Sequence, residues 1–465
     1  VDLINIKING QVQAVSPDLT ILQAAGQCQI EIPTLCAYKD MTPTANCRMC
    51  VVEVEGARNL LTACSTKVSE GMVIETHSDK VKISRKMTLE LILSRHSVDC
   101  HHCARIGSSK IEDLDSRFCE MCFFCDCVRE GFCELQTLAR EYGVDKLPYE
   151  IESNRHEIDD SMDVLIRNPN KCIGCRRCVT MCGDIQTVHA LSLHGRGSQL
   201  TVGASMGKKL SASTCVACGK CVDVCPTGAI FMKEKKDELL YYAHDLGTTT
   251  AAHISENIIE PLAELFKMPK SDLSVETIAS GLKKIGINYV FSDTVTEKRS
   301  RLLASEAIKV NYEMTGGPLI VTSSYSGQKF VETFYPDYVD RLVTYPSSQA
   351  LFSRMSKDGK NKLISITNSH DNQMAGLTQE GIDYVLNARE LYRLFMRTGF
   401  NPKIAEKRPL DIMYPLDEDQ SQALGQWLEE KDLKVMCVST LGQARQEIEK
   451  IKKGINNFDV LRITS

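Results

Sequence analysis

Cysteine spacing constrains this chain more than any other feature. Two runs repeat one interval, Cys172-x2-Cys175-x2-Cys178-x3-Cys182 and Cys215-x2-Cys218-x2-Cys221-x3-Cys225, the second followed by Pro226. Of 21 cysteines in 465 residues, all but Cys437 lie before residue 226. Secreted disulfide scaffolds are usually short and Cys-rich throughout. Tight cysteine groups inside a long chain instead favour metal ligation in a reducing cytoplasm.

The length predicts three or four domains, since one core rarely grows this large. A net charge of -5 supplies no basic footprint, so nucleic acid is not expected as a partner. No stretch approaches the roughly 18 uninterrupted apolar residues of a membrane helix, so no membrane is expected either. The chain opens on Val1 and runs directly into the alternation Ile4, Ile6, Ile8, so no secretory signal is read.

Residues 1–80 begin with that strand, the hairpin turn Asn9-Gly10 and a return strand over Val12–Val15, then a short helix near Leu19–Ala25. Cys36, Cys47, Cys50 and Cys64 follow as C-x10-C-x2-C-x13-C, with a strand over Val51–Val54. Four thiolates can ligate a [2Fe–2S] cluster. The alternative, zinc, usually takes two short cysteine pairs. Cys28 lies outside the pattern and reads as a small buried hydrophobe. The close pair with two distant cysteines resembles the ferredoxin-like N-terminal domain of the complex I large iron–sulfur subunit and of [FeFe] hydrogenases. That resemblance implies a β-grasp [2Fe–2S] domain.

Residues 81–150 carry His96-x3-Cys100 and, further on, Cys127-x5-Cys133 followed by Glu-Leu-Gln. The same families hold a [4Fe–4S] cluster here with H-x3-C-x2-C-x5-C. In this chain an insertion, His101–Asp126, opens the middle C-x2-C and brings Cys103, Cys119, Cys122 and Cys125. Seven cysteines and His96 make enough ligands for two four-ligand sites. The partition that matches both flanks gives His96, Cys100, Cys127 and Cys133 to the [4Fe–4S] cluster. Cys103, Cys119, Cys122 and Cys125 then form an added site for zinc or a fourth [4Fe–4S] cluster. A rival partition uses the zinc-ribbon spacing Cys100-x2-Cys103-x15-Cys119-x2-Cys122 and leaves His96, Cys125, Cys127 and Cys133 for the cluster. Both remain open on the sequence.

Residues 160–235 hold the paired runs, the signature of bacterial two-cluster ferredoxins. In that fold the fourth cysteine of each run ligates the other cluster. Cys172, Cys175, Cys178 and Cys225 are expected to hold one [4Fe–4S] cluster, and Cys215, Cys218, Cys221 and Cys182 the second. Gly183 stands where Pro is usual. Gly203–Lys209 is one residue short of a phosphate-binding loop, and Gly195-Arg-Gly197 lacks the third glycine of a dinucleotide fingerprint. Flavin and NAD(P) are therefore expected on partner subunits.

Residues 236–465 alternate apolar strands, such as Pro318–Val321, Lys362–Ile366 and Lys434–Val438, with helical stretches, the last over Leu441–Lys453: an α/β pattern. This region resembles the catalytic domain of [FeFe] hydrogenases. Thr322–Ser326 is similar to the family's TSCCP stretch, and Ile364–Ser369 to its MPC strand. Ser324, Tyr325 and Ser369 stand where that family has cysteines, and the chain ends at Ser465, before the last Cys-rich motif is expected. A neutral hydroxyl is a poor replacement for a thiolate on iron. The expected fold is thus a multidomain α+β and α/β chain. A β-grasp [2Fe–2S] domain, a small His/Cys domain and a two-[4Fe–4S] ferredoxin domain precede a C-terminal α/β hydrogenase-like domain without its active-site cluster.

In order, the whole chain resembles large subunits of NAD-linked electron-bifurcating [FeFe] hydrogenase complexes. Within that group it is similar to the hydrogenase-like A subunits of Sporomusa-type (Stn) transhydrogenases. The resemblance implies an electron-transfer subunit of an oxidoreductase complex with no hydrogenase site of its own. It would carry one [2Fe–2S] and at least three [4Fe–4S] clusters, relaying single electrons between a flavin subunit and ferredoxin during exchange among NADH, NADP and ferredoxin. The implied partners are flavin- and NAD(P)-binding iron–sulfur subunits of a hetero-oligomer. The alternatives are the equivalent subunit of an electron-bifurcating formate dehydrogenase, and a non-catalytic redox sensor or scaffold.

Overall fold

The structure is a computed structural model that describes residues 3–96, 133–144, 148–149, 156–233, 236–245, 247–356, 361–378, 381–411 and 433–464. Its first unit is a five-stranded mixed sheet in the order β2-β1-β5-β3-β4. The strands are β1 (Ile4–Ile8), β2 (Gln11–Val15), β3 (Val51–Val54), β4 (Leu61–Thr62) and β5 (Val73–Glu75). Asn9 and Gly10 both have positive φ, 48° and 84°, the backbone that a two-residue hairpin with right-handed twist requires. The helix α1 (Ile21–Gln27) starts at Thr20, whose hydroxyl accepts from Gln23 N while Gln23 Oε1 accepts from Thr20 N. It buries Ile21, Ala24 and Ala25 with Ile6, Ile8, Val52 and Ile74. Cys28 departs from its expected burial: it caps the C-terminus of α1 and is half-buried.

Helix α2 (Asp79–Arg95) packs on β3 through Arg85, which is fully buried and donates to Val51 O at 2.8 Å and to the Tyr142 hydroxyl at 2.9 Å. His96 is its C-cap. Cys133 is the N-cap of α3 (Glu134–Glu141). Next come two antiparallel pairs, β6 (Leu165–Arg167) with β9 (Ile230–Met232), and β7 (Leu191–His194) with β8 (Thr201–Ala204).

The C-terminal region holds two four-stranded parallel sheets, where the sequence pattern alone showed only alternating strands and helices. One runs β11-β10-β14-β15, with β10 (Thr249–Ile254), β11 (Tyr289–Ser292), β14 (Asn361–Ile366) and β15 (Tyr384–Leu386). The other runs β13-β12-β17-β16, with β12 (Leu319–Thr322), β13 (Leu342–Thr344), β16 (Val435–Val438) and β17 (Val460–Ile463). Every residue of β12 is buried, as expected for a parallel strand covered on both faces. The apolar core of this second sheet continues into the paired-run region: Phe330, Val331, Leu441 and Ile463 pack with Val188, Ala190 and Val216.

Candidate metal centres

The two cysteine runs fold alike. Gly174 and Arg176 in the first have φ of 66° and 68°, and Ala217 and Gly219 in the second have 60° and 69° at matching positions. Each run then enters a single helical turn, Arg177–Thr180 or Lys220–Asp223. The amide of Gly174 donates to Cys172 Sγ at 3.4 Å, and that of Ala217 to Cys215 Sγ at 3.4 Å. The fourth cysteines match as well: Ala190 N donates to Cys182 Sγ at 3.3 Å and Ala229 N to Cys225 Sγ at 3.2 Å.

These repeats surround two cavities. One is lined by Cys172, Cys175, Cys178 and Cys225, the other by Cys215, Cys218, Cys221 and Cys182. Each takes three cysteines from its own run and one from the other. Ile230 lines both, so the two openings adjoin across one side chain. Gly183 sits in the π-helical turn Met181–Ile185 beside Cys182, and a Cβ there would meet His189 Nδ1 at 3.1 Å. Burial pushes the Cys175 and Cys218 thiols up to about 12 and Cys215 up to about 11. Without a cation such pockets disfavour thiolates, while the amide donors favour charge on sulfur, a donor set that suits an iron–sulfur cluster.

Cys36, Cys47, Cys50 and Cys64, all buried, gather at one end of the mixed sheet. Cys50 immediately precedes β3 and Cys64 follows β4, and Ala63 N donates to Cys50 O at 3.0 Å. Cys36 and Cys47 lie on the loop from α1 to β3, which turns through positive φ at Asp40, Ala45 and Arg48. Hydrogen bonds from Cys47 and Cys64 hold Cys36 far below the ordinary thiol range, and one from Cys64 lowers Cys50. Cys47 and Cys64, the donors, move upward. Deprotonated, the four sulfurs would form a donor set for a metal centre, whose binding releases their protons. Among the described residues, no three His, Cys, Asp or Glu side chains are placed to hold a single metal ion. A zinc site draws its sulfurs to within about 4 Å of one another, whereas the thiols of the paired runs stand around openings.

His96 and Cys133 are buried at the ends of α2 and α3. Cys100, Cys103, Cys119, Cys122, Cys125 and Cys127 lie outside the described residues, as does either partition of those ligands. One apolar core nevertheless contains Cys133 together with Cys36, Cys47 and Cys175. Two charged residues that sequence reasoning passed over sit between these loops: Arg177, inside the first run, and Glu134, directly after Cys133. The available signal was a charge one residue from a ligand.

In the C-terminal region, Thr322, Ser323 and Tyr325 line a cavity of about 530 Å³ with Gln328, Tyr345 and Arg354. Its described lining has no Cys, His, Asp or Glu. Ser324 is buried beside it, and its hydroxyl accepts from Gly327 N at 2.9 Å, capping the helix Tyr325–Phe334. Ser369 does the same for His370–Thr378, accepting from Asn372 N at 3.4 Å.

Three family descriptions match in sequence. A 2Fe-2S iron–sulfur cluster binding domain covers residues 2–79, the ferredoxin-like domain of NADH-quinone oxidoreductase subunit 3 covers 163–231, and the C-terminal domain of the iron-only hydrogenase large subunit covers 248–427. The chain is 32% identical to NADP-reducing hydrogenase subunit HndD of Solidesulfovibrio fructosivorans over 78% of its own length and 60% of that protein's. It is 32% identical to the alpha subunit of the NADPH-Fe(3+) oxidoreductase of Geobacter sulfurreducens over 50% of its length and 24% of that protein's. It therefore spans less than two thirds of either relative. A solved structure of the [FeFe]-hydrogenase HydA1 from Chlamydomonas reinhardtii matches 50% of this chain and 82% of its own, with 12% identity and a TM-score of 0.43. The chain is thus homologous to hydrogenase large-subunit-like proteins, with [2Fe–2S] and [4Fe–4S] cluster domains ahead of a hydrogenase-like α/β region.

Proposed function

We propose that the chain is the iron–sulfur electron-relay subunit of an NAD(P)-linked oxidoreductase complex. Cys36, Cys47, Cys50 and Cys64 hold a [2Fe–2S] cluster. Cys172, Cys175, Cys178 and Cys225 hold one [4Fe–4S] cluster, and Cys182, Cys215, Cys218 and Cys221 a second. His96, Cys100, Cys127 and Cys133 hold a third, and the inserted cysteines a zinc ion or a further cluster. When bound, such clusters each accept and release single electrons. The observation that carries the reading is the crosswise lining of two adjoining cavities that share Ile230. The chain's own residues supply the thiolates, donate amide N–H groups to sulfur, and exclude water with the apolar core that includes Cys36, Cys133 and Cys175.

The C-terminal cavity is read as having no hydrogen-splitting centre. The described part of its wall offers hydroxyls, an amide and a guanidinium, and Ser324 and Ser369 are engaged in capping. The relatives' names, an NADP-reducing hydrogenase and an NADPH-Fe(3+) oxidoreductase, support nicotinamide chemistry on partner subunits. The finer reading is a cytoplasmic, electron-bifurcating transhydrogenase that exchanges electrons among NADH, NADP and ferredoxin. No helix among the described residues is long and apolar enough to cross a membrane.

Anaerobic purification with native partners tests this. A flavoprotein with nicotinamide sites is expected to co-purify, and hydrogen turnover is expected to stay at the level of a cluster-free control, even after maturation with hydrogenase assembly factors. Hydrogen turnover above that control contradicts the reading of the C-terminal cavity. A molybdenum or tungsten subunit replaces the transhydrogenase reading with formate dehydrogenase.

A further inference from the structure

Arg177 lies between Cys175 and Cys178, and its side chain is 2% exposed. Its two terminal nitrogens meet one carboxylate, Nη1 donating to Glu134 Oε1 at 2.8 Å and Nη2 to Oε2 at 2.9 Å. Glu134 follows Cys133, and its amide donates to Pro226 O at 3.1 Å, next to Cys225. On another side the guanidinium stands 5.1 Å from the centroid of the Tyr38 ring, two residues beyond Cys36. Asn46, just before Cys47, donates from Nδ2 to Gly174 O at 2.8 Å, inside the loop between Cys172 and Cys175. Ligand loops of three centres therefore meet around one buried cation.

Burying a cation is costly unless it is paired, and a single-residue loss from such a pair leaves its partner uncompensated. Burial alone would lower the Arg177 pKa, but the hydrogen bond and charge of Glu134 hold it above its ordinary value. The pair is asymmetric: the Glu134 side chain is 43% exposed, so water screens the carboxylate far more than the guanidinium. Nε of Arg177 is also buried with no hydrogen-bond partner, a further donor left inside the protein. The Arg177 charge favours the thiolate form of the neighbouring Cys175. Reduction of a thiolate-bound cluster adds negative charge, so a fixed cation at its edge favours the reduced form.

We propose that Arg177, clamped by Glu134, is a positioning residue with an electrostatic task. It fixes the Cys36, Cys133 and Cys172 loops against one another and raises the reduction potential of the centre held by Cys172, Cys175, Cys178 and Cys225. This rests on the cluster assignment above. The centre is thereby easier to reduce than it would be without the cation, at the junction where the N-terminal loops meet the paired runs.

The test is an anaerobic redox titration followed by EPR on the full chain, with the relevant signal assigned by its loss in Cys175→Ala. Arg177→Met is expected to lower the midpoint of that signal, because it removes the cation and strands the carboxylate. Glu134→Gln is expected to raise it, because the cation loses its counter-charge. Arg177→Lys keeps the charge without the two-pronged clamp and should fall between Arg177→Met and the unaltered chain. A purely structural role would not give shifts of opposite sign at two partners in one ion pair. If Arg177→Met fails to keep its clusters, Glu134→Gln and Arg177→Lys still decide by the same signs. Unmoved midpoints, or shifts of one sign in all variants, overturn the proposal while leaving the cluster assignment intact. Absence of [4Fe–4S] signals in the unaltered chain overturns both.

Discussion

Ser324 and Ser369 each cap a helix with a side-chain hydroxyl. A thiolate binds iron well and caps a helix poorly; a hydroxyl does the reverse. Both serines accept the backbone N–H three residues on, at 2.9 Å and 3.4 Å. Ser324→Ala should therefore cost about 1 kcal/mol of C-terminal stability, seen as a lower denaturation midpoint with unchanged iron content. No loss of stability would contradict the capping role. His253 in β10 gives a second residue-scale expectation. Its Nε2 lies 3.0 Å from Thr296 Oγ1 and 3.3 Å from Ser348 Oγ, and its ring stacks on Phe352. Burial lowers its pKa from 6.5 to about 3. Since the folded value lies below the unfolded one, the unfolded chain takes up the proton first. The contribution is complete above the unfolded value and is lost as pH falls from about 6.5 toward about 3, at up to about 1.4 kcal/mol per pH unit. His253→Gln should flatten that acid limb of a stability-against-pH curve; an unchanged limb would count against it.

At the scale of elements, the last helix, Leu441–Lys452, docks on the turn that carries Cys182. Leu441 N donates to Gln186 Oε1 at 3.1 Å, and Arg445 donates to Thr187 Oγ1 and to Thr187 O, both at 2.9 Å. Gly442 is required at the contact, because a Cβ would come within 2.2 Å of Ile185 O. Gly219 is required in the same way against His370, whose Nε2 lies 2.6 Å from Asp223 Oδ1. Arg445→Ala removes charged hydrogen bonds contributing about 1–2 kcal/mol. Oxygen should then bleach the iron–sulfur absorbance several-fold faster, whereas an unchanged rate would show that this helix does not shield the second run. The elements themselves were readable in sequence: the hairpin at Asn9-Gly10, the strand over Val435–Val438 and the helix from Leu441 follow local turn and periodicity rules. The contacts between them were not. Nothing in the spacing of Gly442 or Gly219 announces a backbone or ring from another region at contact distance, and the division into two parallel sheets depends on pairings across more than a hundred residues, such as Leu319 with Val460. Cys28 misled because a thiol with no ligand partner looks like core, when it ends a helix.

Across the molecule, the proposed ligands form a series: one apolar core holds Cys36, Cys47, Cys133 and Cys175, Ile230 joins the next two cavities, and Cys182, Cys215 and Cys218 pack against the core of the C-terminal sheet. A direct metal assay separates the two readings proposed for the inserted cysteines between His96 and Cys133. One zinc per chain that is lost in Cys119→Ala marks a structural staple, while extra iron without zinc marks another redox centre. The central claim, that these centres are linked carriers, is tested most directly by iron analysis with EPR of the anaerobically reduced full chain. Linked carriers require at least about 14 iron atoms per chain. They also require a [2Fe–2S] signal lost in Cys47→Ala, and two magnetically interacting [4Fe–4S] signals whose interaction disappears in both Cys182→Ala and Cys225→Ala. Fewer iron atoms, or two [4Fe–4S] signals that are independent of each other in the unaltered chain, would contradict the claim.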